Sequence, residues 1–201
     1  KLIEENRLDG VVSMPSGVFK PYAGVSTAVL FFTRGASTEK IWFCDMAQDG
    51  FSLDDKRQPV DANDIPDILA CWTARNDAKF AESREERIGE LRAELEPLKK
   101  KRLALEGELN RITCELSLAS VVDASAASEL DAVKTQLSTL DSLISAPQAE
   151  LDQLTRQFWV AVDDVRAKKY DLSASRYRQS EPDESYHESP QVTLERLARL
   201  E

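Results

Sequence analysis

The rhythm of apolar positions changes twice along this chain. Up to about residue 74, apolar residues come in short β-branched and aromatic runs. "GVVSM" and "VSTAVLFFT" are bounded by Gly and Pro and predict neighbouring strands of a buried sheet, with "KIWFCDM" (Lys40 to Met46) as a third. Ahead of them, "KLIEENRL" spaces Leu2, Ile3 and Leu8 as a helix would, ended by Asp9-Gly10. "AQDGFSLDDKRQPVDANDIPD" is polar and turn-rich. Asp64 is placed to cap a helix that has Pro66 in its first turn and Ile65, Ile68, Leu69 and Trp72 on one side.

From there the spacing becomes three-four. Ile88, Leu91, Leu95, Leu98, Arg102, Leu105, Leu109, Ile112 and Leu116 follow it with one polar interruption. Leu130, Val133, Leu137, Leu140, Ile144, Pro147, Leu151, Leu154, Phe158, Ala161 and Val165 follow it again. Heptad spacing of this length predicts long helices joined along a narrow apolar seam. The small-residue stretch "ASVVDASAAS" between them, with Asp123 or Ser125 as a cap, predicts a tight turn and hence antiparallel neighbours. Pro97 and Pro147 lie either side of a midpoint inside that turn, which would bring them to one height as a shared bend. At ~1.5 Å per residue, an arm of about forty residues reaches roughly 60 Å.

After Val165 the chain turns polar. "RAKKYDLSASRYR" has five basic residues against one acidic, whereas Glu181 onward has six acidic against two basic. Val192, Leu194, Leu197 and Leu200 predict a short amphipathic helix over 190–200, of the kind that docks on its own domain or a partner.

Charge and composition narrow the chemistry. The 201 residues carry a formal charge of -10, which disfavours general polyanion binding and makes any nucleic-acid contact a local one. Three scattered cysteines (Cys44, Cys71, Cys114) and one histidine, His187, cannot build a Cys/His zinc set, so no metal site is expected; free thiols in a reducing cytoplasm are. No apolar run is long enough to span a membrane. Glycine-rich phosphate loops, GxSxG and HExxH are absent from these residues. Asp54, Asp55, Asp61, Asp64 and Asp67 could hold a hard cation but are expected as caps and solvated faces. The basic run Lys99 to Arg102, beside Glu96 and Glu106, is expected as a solvated or partner-facing stripe. The remaining oddity is "SMPSGVFKPYAG", which puts Phe19, Lys20 and Tyr22 into a loop that only has to reverse direction.

That loop within "LDGVVSMPSGVFKPYAGVSTAVLFFTRG", followed by "IWFCDM", "DGFSLDDKR" and much later "KKYDLSASRYR", closely resembles the modification subunit of type I restriction-modification systems, an N6-adenine DNA methyltransferase. The resemblance covers residues 1 to about 70 and the tail from Lys168; the heptad arms are generic. It implies a fragment opening at the last helix before the sixth strand of a class I S-adenosylmethionine-dependent sheet. "DGVVSM" would be that sixth strand, and "VSTAVLFFT" the seventh, inserted antiparallel beside the fifth. The loop between them would place Phe19 at the rim of the pocket for the flipped adenine, to stack on the extruded base. Lys20 and Tyr22 are then candidates for DNA contacts.

The family's Gly-rich cofactor motif and its Asn-Pro-Pro-aromatic motif occur nowhere in these residues. S-adenosyl-L-methionine is therefore expected on the intact protein and not on this piece, which alone is expected to be inactive. The chain opens on Lys1 inside a helix-like phrase and is expected to have been cut from something larger. Three regions follow: 1–74, the end of the catalytic domain; 75–165, an antiparallel coiled-coil hairpin turning near 119–128; and 166–201, a tail with its helix. The resemblance implies as partners the specificity subunit and, through it, a second modification subunit, the restriction subunit and double-stranded DNA. The exposed sheet edge is expected to make the piece self-associate. Two alternatives stay open: a stand-alone coiled-coil scaffold with a small sheet domain, and an inactive methyltransferase relative.

Overall fold

The opening helix is a single turn. In a computed structural model of the chain, which describes residues 2–118 and 124–178, α1 covers Leu2–Glu5 and β1 follows at once as Asn6–Met14. This corrects the helix expected as far as Leu8, and side chains explain why. The Leu8 N–H donates to Thr38 Oγ1 at 2.9 Å, the Thr38 hydroxyl donates to the Asn6 carbonyl at 2.8 Å, and the Gly35 N–H donates to Asn6 Oδ1 at 3.3 Å. Asn and Thr side chains that capture backbone groups in this way compete with helical bonding.

The described residues form two compact units, one within Lys1–Ile88 and Asp152–Ser180, the other containing Gly89–Leu151. The first is built on a four-stranded sheet in which β2 (Thr27–Arg34), β1, β3 (Lys40–Asp45) and β6 (Gln157–Ala161) lie side by side in that order. β1 runs antiparallel to β2 and parallel to β3, and β3 runs antiparallel to β6. A bulge between Leu8 and Gly10 shifts the β1–β2 register, so Leu8 and Val11, three positions apart, reach the same core.

β6 corrects the expected hairpin, whose helical spacing runs on through Phe158, Ala161 and Val165. Helix α4 ends at Leu154, and residues 157–161 alternate as a strand against β3. Phe158 pairs with Phe43 and stacks on it at 5.9 Å between ring centres. A strand followed directly by helix α5 (Val162–Ala167) places apolar residues at the same three-four intervals as a continuous helix.

Each face of the sheet has its own core. Leu8, Val11, Ile41, Phe43 and Val160 point to the first, closed by Ile3 of α1, Val162 and Val165 of α5, and Leu172, Ala174 and Tyr177 of the tail. Val12, Trp42, Cys44 and Met46 point to the second, with Ile68, Cys71 and Trp72 of α2 (Ile65–Thr73), Phe80 and Val18. Burial, reinforced by the Asp64 and Asp67 carboxylates, pushes the Cys44 thiol up to about 12. Such a thiol is inert. A two-stranded hairpin, β4 (Asp49–Phe51) with β5 (Pro59–Asn63), joins β3 to α2 where only turns were expected.

Asp64 does precede α2, with Pro66 in its first turn, but its side chain makes no cap bond. The carboxylate accepts the Ala47 and Gln48 N–H groups at 2.7 and 3.0 Å and the Arg156 guanidinium at 2.6 Å. Asp67, one turn on, accepts both Arg84 terminal nitrogens at 3.1 Å and Gln157 Nε2 at 2.7 Å. Arg84 also donates to the Leu154 carbonyl. The two aspartates thus join α2 to the start of α3 (Ala78–Leu118), the end of α4 (Ala124–Leu154) and β6.

In the second unit, Leu105, Ile112, Val133 and Leu140 form a buried seam flanked by Leu98, Leu109, Leu116, Leu130 and Leu137. Arg102, the polar interruption, reaches Glu106 at 3.4 Å and Asp141 of the facing helix at 3.9 Å, and Arg111 reaches Glu129 at 3.7 Å. The cross-helix pairs advance in opposite directions along α3 and α4, as antiparallel neighbours require. Pro97 and Pro147 lie inside these helices and end neither. α4 occupies the second half of the turn expected at 119–128. Residues 119–123, the Ser125 side chain, His187 and the tail helix over 190–200 lie outside the described residues.

Candidate functional site

The loop between β1 and β2 is built around a buried glycine. Gly17 has φ +104°, and a Cβ there would collide with the Leu53 carbonyl, so only glycine lets the chain turn against the residue 52–58 turn. Val18 then points inward to the second core. Phe19 points out, with 46% of its surface exposed.

Backbone bonds hold Phe19 in that position. The Lys20 N–H donates to the Gly17 carbonyl at 3.1 Å, and the Phe19 carbonyl accepts both the Tyr22 and Ala23 N–H groups, at 2.9 and 3.0 Å. The Lys20–Pro21 peptide is cis. Tyr22 is almost wholly exposed, and Lys20 Nζ lies 3.2 Å from the solvated Asp55 carboxylate. The structure therefore sets Phe19, Lys20 and Tyr22 on one short turn, two aromatic side chains outward and the ammonium tied sideways. An exposed ion pair of this kind contributes ~0–1 kcal/mol, so Lys20 can exchange its partner at small cost.

The support beneath the loop was not visible in the sequence. Asp54 Oδ1 accepts the Ser52 hydroxyl at 3.0 Å and the Lys56 and Arg57 N–H groups at 2.9 and 3.2 Å; these bonds to the charged form hold its carboxyl below the usual range. The Ser52 N–H donates to the Gln58 carbonyl, and the Arg57 guanidinium bonds to Asp49 and to the Ser52 carbonyl while lying over Phe51. Only the Ser-x-Asp pattern at 52–54 signals such a turn, and it does not reveal that Gly17 and Lys20 rest on it.

Among the described residues, no three His, Cys, Asp or Glu side chains are placed to hold a metal ion, and no helix is long and apolar enough to cross a membrane. The chemistry open to the loop is that of a flat apolar face flanked by a cation and a phenol: stacking and polar contact, without proton or group transfer.

Comparisons with known proteins agree with the sequence resemblance. A family model described as N-6 DNA Methylase matches residues 1–104. The type I restriction enzyme EcoEI methylase subunit of Escherichia coli is 37% identical over 86 residues, which is 42% of this chain and 17% of that protein. The chain thus spans less than a fifth of this relative's length. A solved structure of a type I R-M system, described for its complex assembly and conformational transition, contains a chain 22% identical to this one. The match has a TM-score of 0.38 and covers 99% of this chain and 28% of that one. A modification subunit from Vibrio vulnificus YJ016 is 28% identical over 37% of this chain and 16% of its own, with a TM-score of 0.29.

Proposed function

The chain belongs to the N-6 DNA methylase family, and on that premise we propose that it is the C-terminal part of the modification subunit of a type I restriction-modification system. Its sheet is the last-strand remnant of a class I methyltransferase, and the β1–β2 loop is the rim of the target-base pocket. Phe19 stacks on the adenine once the base has left the duplex, replacing stacking lost from its neighbours. Lys20 and Tyr22 contact the phosphate or base edges of double-stranded DNA.

S-adenosyl-L-methionine and the adenine amino group are held by motifs outside these residues, so the piece alone transfers no methyl group. The coiled-coil pair α3–α4 and the tail dock on a specificity subunit, and through it on a second modification subunit and a restriction subunit, in the cytoplasm.

The observation that carries this reading is the split between two adjacent residues. Val18 is anchored in the core while Phe19 is held out on a turn that Gly17 makes possible. Methyl transfer from labelled S-adenosylmethionine by the full-length protein tests it. Phe19→Ala should slow transfer by about 5- to 160-fold, the range that ~1–3 kcal/mol of stacking allows, with cofactor affinity and thermal midpoint kept. Phe19→Trp should keep most of the rate. Unchanged transfer by Phe19→Ala would remove the base from this loop.

A further inference from the structure

We propose that Asp171–Arg178 is a positioning strap for the β1–β2 loop, acting through Ser13 and Asp45. Its functional meaning rests on the target-base reading above; its mechanics do not. The segment is braced internally. Asp171 Oδ1 accepts the Ser173 N–H at 2.9 Å, Tyr177 Oη donates to the Asp171 carbonyl, and Lys168 bonds to the Arg176 carbonyl while lying 4.4 Å over the Tyr177 ring. It is also seated on the sheet. Ala174 is fully buried in the first core, and the Tyr177 ring centre is 5.1 Å from that of Phe43.

From that seat it reaches the ends of the two central strands. The Ala174 N–H donates to Ser13 Oγ at 3.4 Å, and Arg178 lies 3.6 Å from Asp45. Ser13 and Asp45 are partners in the β1–β3 register, and the Ser13 carbonyl accepts the Met46 N–H at 2.9 Å. Ser13 stands two residues before Pro15, where the loop begins. Because β1 alternates, Ser13 faces the strap while Met14, like Val18 beyond it, packs in the core of the opposite face. The root of the loop is thus gripped from both faces, by the strap on one and the α2 core on the other. Ser13 and Arg178 are positioning residues, since neither lies on the turn that presents Phe19.

Hydrogen exchange on the 201-residue chain tests the strap without reference to activity. In Ser13→Ala/Arg178→Gln, the Lys20, Tyr22 and Ala23 amides should exchange about threefold to tenfold faster, with β1 and β3 amides unchanged. Restoring the cation with Arg178→Lys should recover part of the protection. Unchanged loop exchange overturns the proposal, and so does an equal acceleration of loop and strand amides, which would make the strap a sheet brace only. In the full-length protein, the same double variant should lower 2-aminopurine emission at the target base. Unchanged emission with faster loop exchange would count against base capture by the loop and leave the strap standing.

Discussion

Trp72 lies directly over Gly10. A Cβ on Gly10 would stand 2.6 Å from Trp72 Cζ3 and 3.2 Å from Trp42 Cε3. The glycine leaves a flat floor in β1 on which the α2 indole rests, flanked by Phe31 at 4.6 Å and Trp42 at 5.4 Å between ring centres. The Arg75 guanidinium closes it from outside, 4.0 Å from the ring centre.

Gly10→Ala is therefore an overpacking change at a strand position. Lifting the indole should cost about 1–3 kcal/mol, read as a lower urea midpoint at unchanged slope. Trp72 fluorescence should shift with it as the ring is displaced. An unaltered midpoint would mean that the α2 helix can slide without loss.

The Arg84–Asp67 pair should matter more than the ion pairs along α3. Its side chains are 16% and 23% exposed, against 70% and 65% for Lys100–Glu96. Arg84→Met leaves Asp67 with only Gln157 and the weak Cys71 thiol as side-chain donors, and frees the Leu154 carbonyl, so we expect a loss of ~1–3 kcal/mol. Lys100→Met, on a solvated face, should change stability by less than about 0.5 kcal/mol. Thermal denaturation of the two variants side by side makes the comparison.

Acid should loosen the contact between α1 and the chain after β6. Arg166 donates two 2.9 Å bonds to Glu4, Tyr170 Oη donates a third at 3.0 Å, and together they pull the Glu4 carboxyl from 4.5 down to about 2. The folded carboxyl therefore holds fewer protons than the unfolded one between these values. The contribution is complete above about 4.5 and disappears as pH falls towards 2. Against Glu4→Gln, the wild-type advantage in urea midpoint should shrink across that window and be smaller in high salt, because the cluster is exposed.

The 201-residue chain should self-associate through β2. Among the described residues its outer edge is unpaired; the strand carries Val29, Leu30, Phe31 and Phe32, each more than a third exposed, and no charged residue falls between Thr27 and Thr33. An apolar strand with unpaired N–H and C=O groups is a template for another strand. Light scattering at micromolar concentration should give a dimer or larger species, and Leu30→Lys should return a monomer. A monomeric wild type would show that the edge is protected.

Elements whose burial repeats over many residues were legible in the sequence. β1, β2 and β3 stood out as β-branched runs, and the seam from Leu105 to Leu140 as a sustained heptad. Short elements chosen by a distant partner were not. Phe158, Trp159 and Val160 favour a strand, but the continuing three-four spacing hid 157–161 in the helix, and its strand form depends on the edge that β3 presents. Asp64 was legible as a residue at a helix start, but its bonds go to Ala47, Gln48 and Arg156. At the loop, Gly and Pro marked the turn, whereas an outward Phe19 followed from the family resemblance, since an aromatic in a loop otherwise reads as core. The Leu53 floor beneath Gly17 and the Ala174 contact to Ser13 are long-range, so no stretch of sequence announces them.

The late position of β6 bears on how the chain folds as it is made. Lys40 pairs with Ala161, so the fourth strand leaves the ribosome only after both long helices have been synthesised. Closing so long an unstructured segment would be slow, but the entropy of closure depends on the flexible length alone. If α3 and α4 zip together first, the flexible length left between β3 and β6 shrinks to the β4–β5 and α2 region and the two residues after α4. The helical pair then acts as a folding-rate element: loosening its seam should delay completion of a sheet none of whose strands lies in it.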